Sequence, residues 1–185
     1  MEKHNSVVYE VHYKTWNIAM RVVDPNTQQE VYTLTSGGAL GNDTQIVNSR
    51  NQVVGNGRAS HWKTGIKMEM RETDGHSTIP GTFETKTGKA LGFGSPSFVS
   101  PAFGGQKMTW KNKAMSTKIH YTLIDERGVA LAQFQSAGMK WKTVGHLEIM
   151  TGDVPMGDPQ IAEIVSTVLT LTYRKLVANN IAAIS

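Results

Sequence analysis

IVSTVLTLTY, residues 164–173, is the stretch on which the fold turns. It carries no charge, and Ile, Val, Leu and Thr dominate it. Such a run serves as a membrane anchor, a last strand or a buried helix, and each implies a different protein. The anchor fails on length, because a spanning helix needs roughly 20 apolar residues. Here Glu163 precedes the run, Arg174 and Lys175 follow it, and three threonines and a serine dilute it. Val, Ile and Thr favour a strand by propensity. The flanks favour a helix. Asp158 can cap, Pro159 suits a first turn, and Arg174 and Lys175 suit the negative end of a helix dipole. The expected helix covers about residues 159–177. On it, Ile161, Ile164, Val165, Val168, Leu169, Leu171, Thr172 and Leu176 spread over most of the circumference. A helix that is apolar nearly all round belongs inside a protein.

What precedes the helix is strand-like. Short alternating segments separated by Gly, Asn and Asp turns fill the first 150 residues, and eleven are candidate strands. They cover 6–13, 16–23, 29–35, 44–48, 52–60, 64–71, 82–87, 106–112, 117–125, 129–135 and 142–150. In TGIKMEMR, residues 64–71, Ile66, Met68 and Met70 share one face, and Lys67, Glu69 and Arg71 share the other. Residues 49–51 read as the turn of a hairpin between 44–48 and 52–60. LGFGSPSFVSPAFGG, residues 91–105, departs from the pattern. Its prolines make a poor central strand, so it reads as a long loop. Its phenylalanines either fold back onto the domain or reach outward to a membrane or pocket.

The chain has 185 residues, a length that suits one domain over 1–185 with a substantial core. Cysteine is absent, which removes disulfides, thiol catalysis and thiolate metal sites together and favours an intracellular, cytoplasmic or peripheral-membrane setting. The first residues lack the apolar core of a secretory signal. The net charge of +4 is modest but permits an anionic partner.

Strands wrapped around one buried helix resemble the tubby C-terminal-like superfamily. That group includes tubby domains, LURP-one-related proteins and phospholipid scramblases, and this chain looks most like its small fungal tubby-like domains. The residues carrying the resemblance are VYTLT at 31–35, VVG at 53–55, MTWK at 108–111, YTLID at 121–125, VALAQF at 129–134 and the helix from Ile161 to Lys175. The resemblance implies a mainly β fold, a closed antiparallel β-barrel of about 11–12 strands around a hydrophobic C-terminal helix. It implies a non-enzymatic domain that binds phospholipid, phosphoinositide or a protein partner at a membrane surface. No lipid-binding motif of the superfamily maps residue by residue onto this chain.

The search for chemistry is mostly negative. Six histidines show no metal-ligand spacing, so neither a metal nor another cofactor is expected. No G-x-S-x-G elbow occurs. The Gly81–Lys89 segment differs from a phosphate loop in spacing and lacks its Ser/Thr. Trp-Lys recurs as Trp62-Lys63, Trp110-Lys111 and Trp141-Lys142. On a strand the two neighbours face opposite ways, which puts Trp in the core and Lys in water. The functional alternative is an aromatic-basic lipid surface made of these pairs with Lys67, Lys113 and Lys140. No recognition motif supports nucleic acid. A second alternative is a small-molecule or catalytic site at a barrel mouth using Arg58, His61, His120 and Glu148.

Overall fold

Alternation becomes strand wherever an apolar residue is followed by a polar one. In Ile66–Met70, Ile66, Met68 and Met70 are buried and Lys67 and Glu69 are exposed. The computed structural model describes residues 6–14, 19–37, 43–59, 66–71, 81–85, 95–112, 118–138, 142–152, 154–155 and 157–184. Its elements are β1 (Val7–Tyr13), β2 (Met20–Val23), β3 (Glu30–Ser36), β4 (Asp43–Asn48), β5 (Val53–Ala59), β6 (Ile66–Met70), β7 (Gly81–Thr85), β8 (Ser97–Val99), β9 (Lys107–Asn112), β10 (His120–Ile124), β11 (Ala130–Ser136), β12 (Thr143–Ile149) and α1 (Pro159–Ile184).

Side chains build the tight turns. Asn48 Oδ1 accepts from the N–H groups of Arg50 and Gln52 at 2.9 and 3.0 Å, and Asn51 takes a left-handed φ of 59°. Asp125 Oδ1 does the same for Arg127 and Val129, at 2.9 and 2.8 Å, and Gly128 supplies the positive φ.

The twelve strands form one antiparallel sheet in the order β7-β6-β5-β4-β3-β2-β1-β12-β11-β10-β9-β8. Two meanders therefore meet where β1 pairs with β12. The edges are β7 and β8, which are consecutive in the chain. They lie against each other, and Pro101, in the turn after β8, packs on β7, where a Cβ on Gly81 would come within 2.8 Å of Pro101 Cγ. Among the described residues no ladder of hydrogen bonds joins them. A mainly antiparallel β fold with a C-terminal helix is thus observed, and among the described residues the sheet curls round without hydrogen-bonded closure.

The helix occupies the concave side. All residues from 161 to 173 are buried. Both arms of the sheet reach it. Thr44 Oγ1 of β4 lies 3.3 Å from Thr170 Oγ1, and the Trp110 indole N–H of β9 donates to Thr167 Oγ1 at 3.1 Å. On β5, Gly55 and Gly57 face inward and let the helix come close. A Cβ at Gly57 would lie 2.5 Å from Thr44 Oγ1 and 2.7 Å from Thr170 Cγ2.

Asp158 caps the helix as expected. Its Oδ1 accepts from the Gln160 N–H at 2.8 Å, and its carbonyl accepts from Ala162 N–H at 3.1 Å. The helix runs on to Ile184, past the expected end at 177, so Arg174 and Lys175 sit in its body rather than in its last turn. The 91–105 segment also differs from its reading as a plain loop. It contains the three-residue edge strand β8, a position that tolerates nearby proline. Phe98 is buried and Phe103 packs on the core, so these two rings fold back rather than reach outward. Phe93 lies outside the described residues.

Candidate functional site

The polar side of the sheet is organised by register. Across β3 to β6, Thr35 pairs with Gln45, Gln45 with Asn56, and Asn56 with Glu69. One step along, Asp43 pairs with Arg58, Arg58 with Lys67, and Lys67 with Glu84 of β7. Residues at these positions point away from the helix, because strand neighbours such as Thr44, Gly57, Met68 and Met70 point toward it. Thr35, Asp43, Gln45, Asn56, Arg58, Lys67 and Glu69, together with Arg71, line a groove of about 620 Å³ on the outer face.

Its electrostatics are mixed. Arg58 donates to Asp43 through Nε at 2.7 Å and Nη2 at 3.3 Å. Arg71 Nε lies 3.4 Å from Glu69 Oε1. With its amide oxygen turned to the guanidinium, Asn56 also accepts from Arg71 Nε and Nη2 at 2.9 and 3.0 Å. Both ion pairs are solvent-exposed and add little stability. Lys67 is different: among the described residues it has no ion pair. The groove thus offers three cations and two carboxylates, with Thr35, Gln45 and Asn56 as neutral hydrogen-bonding groups. That set suits a ligand carrying both phosphate and hydroxyl groups, the first for the cations and the second for the carboxylates and amides.

The candidate residues from sequence scatter. Lys67 and Arg58, assigned to different candidate sites, come together as cross-strand neighbours. Lys111 on β9 and Lys142 just before β12 are exposed but sit on or beside strands that do not neighbour β6, so the described lysines do not form one surface. Trp110 is corrected outright. It is fully buried, its N–H is used by Thr167, and its ring meets Tyr121 edge-on at 6.4 Å, so it belongs to the core and to no lipid surface. The inward-Trp, outward-Lys reading holds for Trp110 and Lys111. Trp62, Lys63, His61, Lys113, Lys140 and Trp141 lie outside the described residues. The barrel-mouth set does not assemble either. His120 Nε2 lies 2.8 Å from Gln133 Nε2, and Gln133 pairs with Glu148. Arg58 on β5 is five strands away from Glu148 on β12 in the sheet order.

Sequence reasoning missed Asp43, Asn56, Glu69 and Arg71 as site residues. The alternation in 64–71 already placed Lys67, Glu69 and Arg71 on one face, but nothing local revealed that β5 would align Asn56 and Arg58 beside them. It also passed over Glu163, which is 2% exposed. Its Oε1 accepts from the Ser100 hydroxyl and its Oε2 from the Ala102 N–H at 3.1 Å. Burial pushes its carboxyl above the ordinary range, against the opposing pull of those two hydrogen bonds.

The comparisons with known proteins bear on the fold. No protein-family model and no curated protein matches the sequence. A crystal structure of an Arabidopsis thaliana protein matches with a TM-score of 0.57 at 12% identity, covering 89% of this chain and 90% of that one. At that identity the likeness extends to the fold alone. Among the described residues, no helix is long and apolar enough to cross a membrane, and no group of three or more His, Asp or Glu side chains is placed to hold a metal ion.

Proposed function

We propose that this chain is a non-enzymatic tubby-like domain, its curled sheet a closed barrel, that holds the head group of an anionic phospholipid at a membrane surface. The site is the outer groove on β3 to β6, and the ligand class is a phosphoinositide. The observation that carries this reading is Lys67, a cation with no ion pair among the described residues, set beside Arg58 and in one groove with Arg71. A phosphorylated inositol ring would place phosphates on these three side chains. Its free hydroxyls would meet Asp43, Glu69 and Asn56.

Sedimentation with phosphatidylcholine liposomes, with and without phosphatidylinositol bisphosphate, tests the reading. Retention on the phosphoinositide vesicles alone is expected, and it weakens as salt rises because exposed charges are screened beyond about 10 Å at 0.1 M. Equal sedimentation with both vesicle types, or none at low salt, overturns it. Capture by a protein partner with no lipid retention would place the function in protein binding instead.

A further inference from the structure

Glu163 does more than fill space. Its two carboxyl oxygens are spent on one turn, residues 100–105, which follows β8. Ser100 is itself fully buried and its hydroxyl also accepts from Phe103 N–H at 2.9 Å. The turn closes through Gly105 N–H to Ser100 C=O at 2.8 Å, with Gly104 and Gly105 at φ of 65° and 82°. Pro101, one residue on, is the group that packs against Gly81 of β7. The same turn therefore spans the one junction of the sheet that shows no hydrogen-bonded ladder among the described residues, and Glu163 grips it from inside.

Among the described residues, no ion pair compensates the carboxyl. On its own helix, Asp158 lies five residues back at the cap, and Arg174 lies eleven residues on, about 16 Å along the axis. Around the turn, Lys107 and Lys111 of β9 and Glu84 of β7 are exposed. On the strands nearest the helix, Arg58, Lys67 and Glu69 face outward, as does Glu30, which pairs with Lys14. None of them forms an ion pair with Glu163 among the described residues.

We propose that Glu163 is a proton-operated latch: neutral, it shares a proton between Oε1 and the Ser100 hydroxyl oxygen while Oε2 accepts from Ala102 N–H, and so holds the 100–105 turn over the β7–β8 junction; ionised and buried without a counter-ion among the described residues, it releases the turn and opens that junction. The negative form needs water, and the nearest way to reach it is to lift the turn, since Glu163 is 2% exposed and its helix neighbours Ala162 and Ile164 are buried. Release bares Phe98 and Phe103 beside the first turns of α1. The device is closed below the ordinary glutamate value, opens as pH rises through the carboxyl's raised value, and is independent of what the outer groove binds.

Amide hydrogen exchange on the intact chain, corrected for the intrinsic pH dependence of exchange, tests it. For Ala102, Phe103 and Gly105 the opening equilibrium should rise about tenfold per pH unit between the ordinary glutamate value and the carboxyl's value in the closed protein, then level off. Leu34 and Ile46 should show no such rise. In Glu163→Gln the turn should be independent of pH. A flat profile in the native chain, or the same rise in Glu163→Gln, overturns the latch. Should that variant fail to fold, carbon-13 NMR titration of the Glu163 carboxyl in the native chain decides. A midpoint where the exchange profile levels off supports the latch, and a midpoint at the ordinary glutamate value overturns it.

Discussion

At Gly57 one hydrogen atom sets how near the helix lies to the sheet. Any Cβ there meets Thr44 and Thr170, both buried and both belonging to packed elements. Gly57→Ala should cost about 1–3 kcal/mol, as overpacking does, and urea denaturation should show it as a lower midpoint. Trp110→Phe should cost about 2 kcal/mol, from a lost indole–hydroxyl bond and a void beside the helix, with the same readout. Glu163 gives the molecule a pH dependence whose sign follows from its raised pKa. The contribution is fully present below the ordinary value of 4.5 and is lost as pH rises through the higher folded value. Glu30 and Asp125 act in the opposite direction. Burial raises them, but hydrogen bonds and cations outweigh it and hold both below their ordinary values, so their contributions disappear only as pH falls below the carboxylate range. Burial pushes the Tyr121 phenol up to about 12, far above both windows. The melting temperature should therefore fall in the native chain as pH rises from the ordinary glutamate value of 4.5 through the carboxyl's raised value, and fall less in Glu163→Gln.

At the scale of elements, α1 carries β-branched residues in a helical frame. Position overrides propensity: Asp158 and Pro159 start a helix, and residues 161–173 of it are buried within the surrounding sheet. Thr167 turns its hydroxyl back to the Glu163 and Ile164 carbonyls at 2.9 and 3.0 Å, so its polarity is satisfied on the helix itself. This much was legible. An Asp-Pro start and an all-round apolar pattern are local signals. The strands were legible for the same reason, since alternation in 64–71 or 121–123 is written into consecutive residues. β8 was not, because the prolines at 96 and 101 are a stronger local signal than the three residues between which an edge ladder forms. The helix end was not legible either, since Arg174 and Lys175 mimic a last turn. Val168→Asp should abolish folding, because it sets an unpaired charge at a position with 0% exposure; soluble protein with native far-ultraviolet circular dichroism from this variant would refute the assignment of a central helix.

At the scale of the whole molecule, what matters is which strands lie side by side. The pairing of β1 with β12, and the alignment of Arg58 with Lys67, join residues through contacts that no local pattern encodes. That is why the lysines read as one basic surface from sequence but stand apart in the fold, and why the groove on β3 to β6 was only half visible. The same geometry supplies the most direct test. Lys142 is exposed beside β12, six strands from β6 in the sheet order by either direction if the β7–β8 junction is counted as a step. Sedimentation on phosphoinositide liposomes should be compared for Lys67→Glu and Lys142→Glu, each with an unchanged melting temperature. At about 1 kcal/mol per basic side chain near an anionic surface, reversing Lys67 should weaken retention by roughly thirtyfold, while reversing Lys142 should leave it within a few-fold of the native chain. Equal losses from the two reversals, or full retention by Lys67→Glu, would contradict the assignment of the groove as the lipid site.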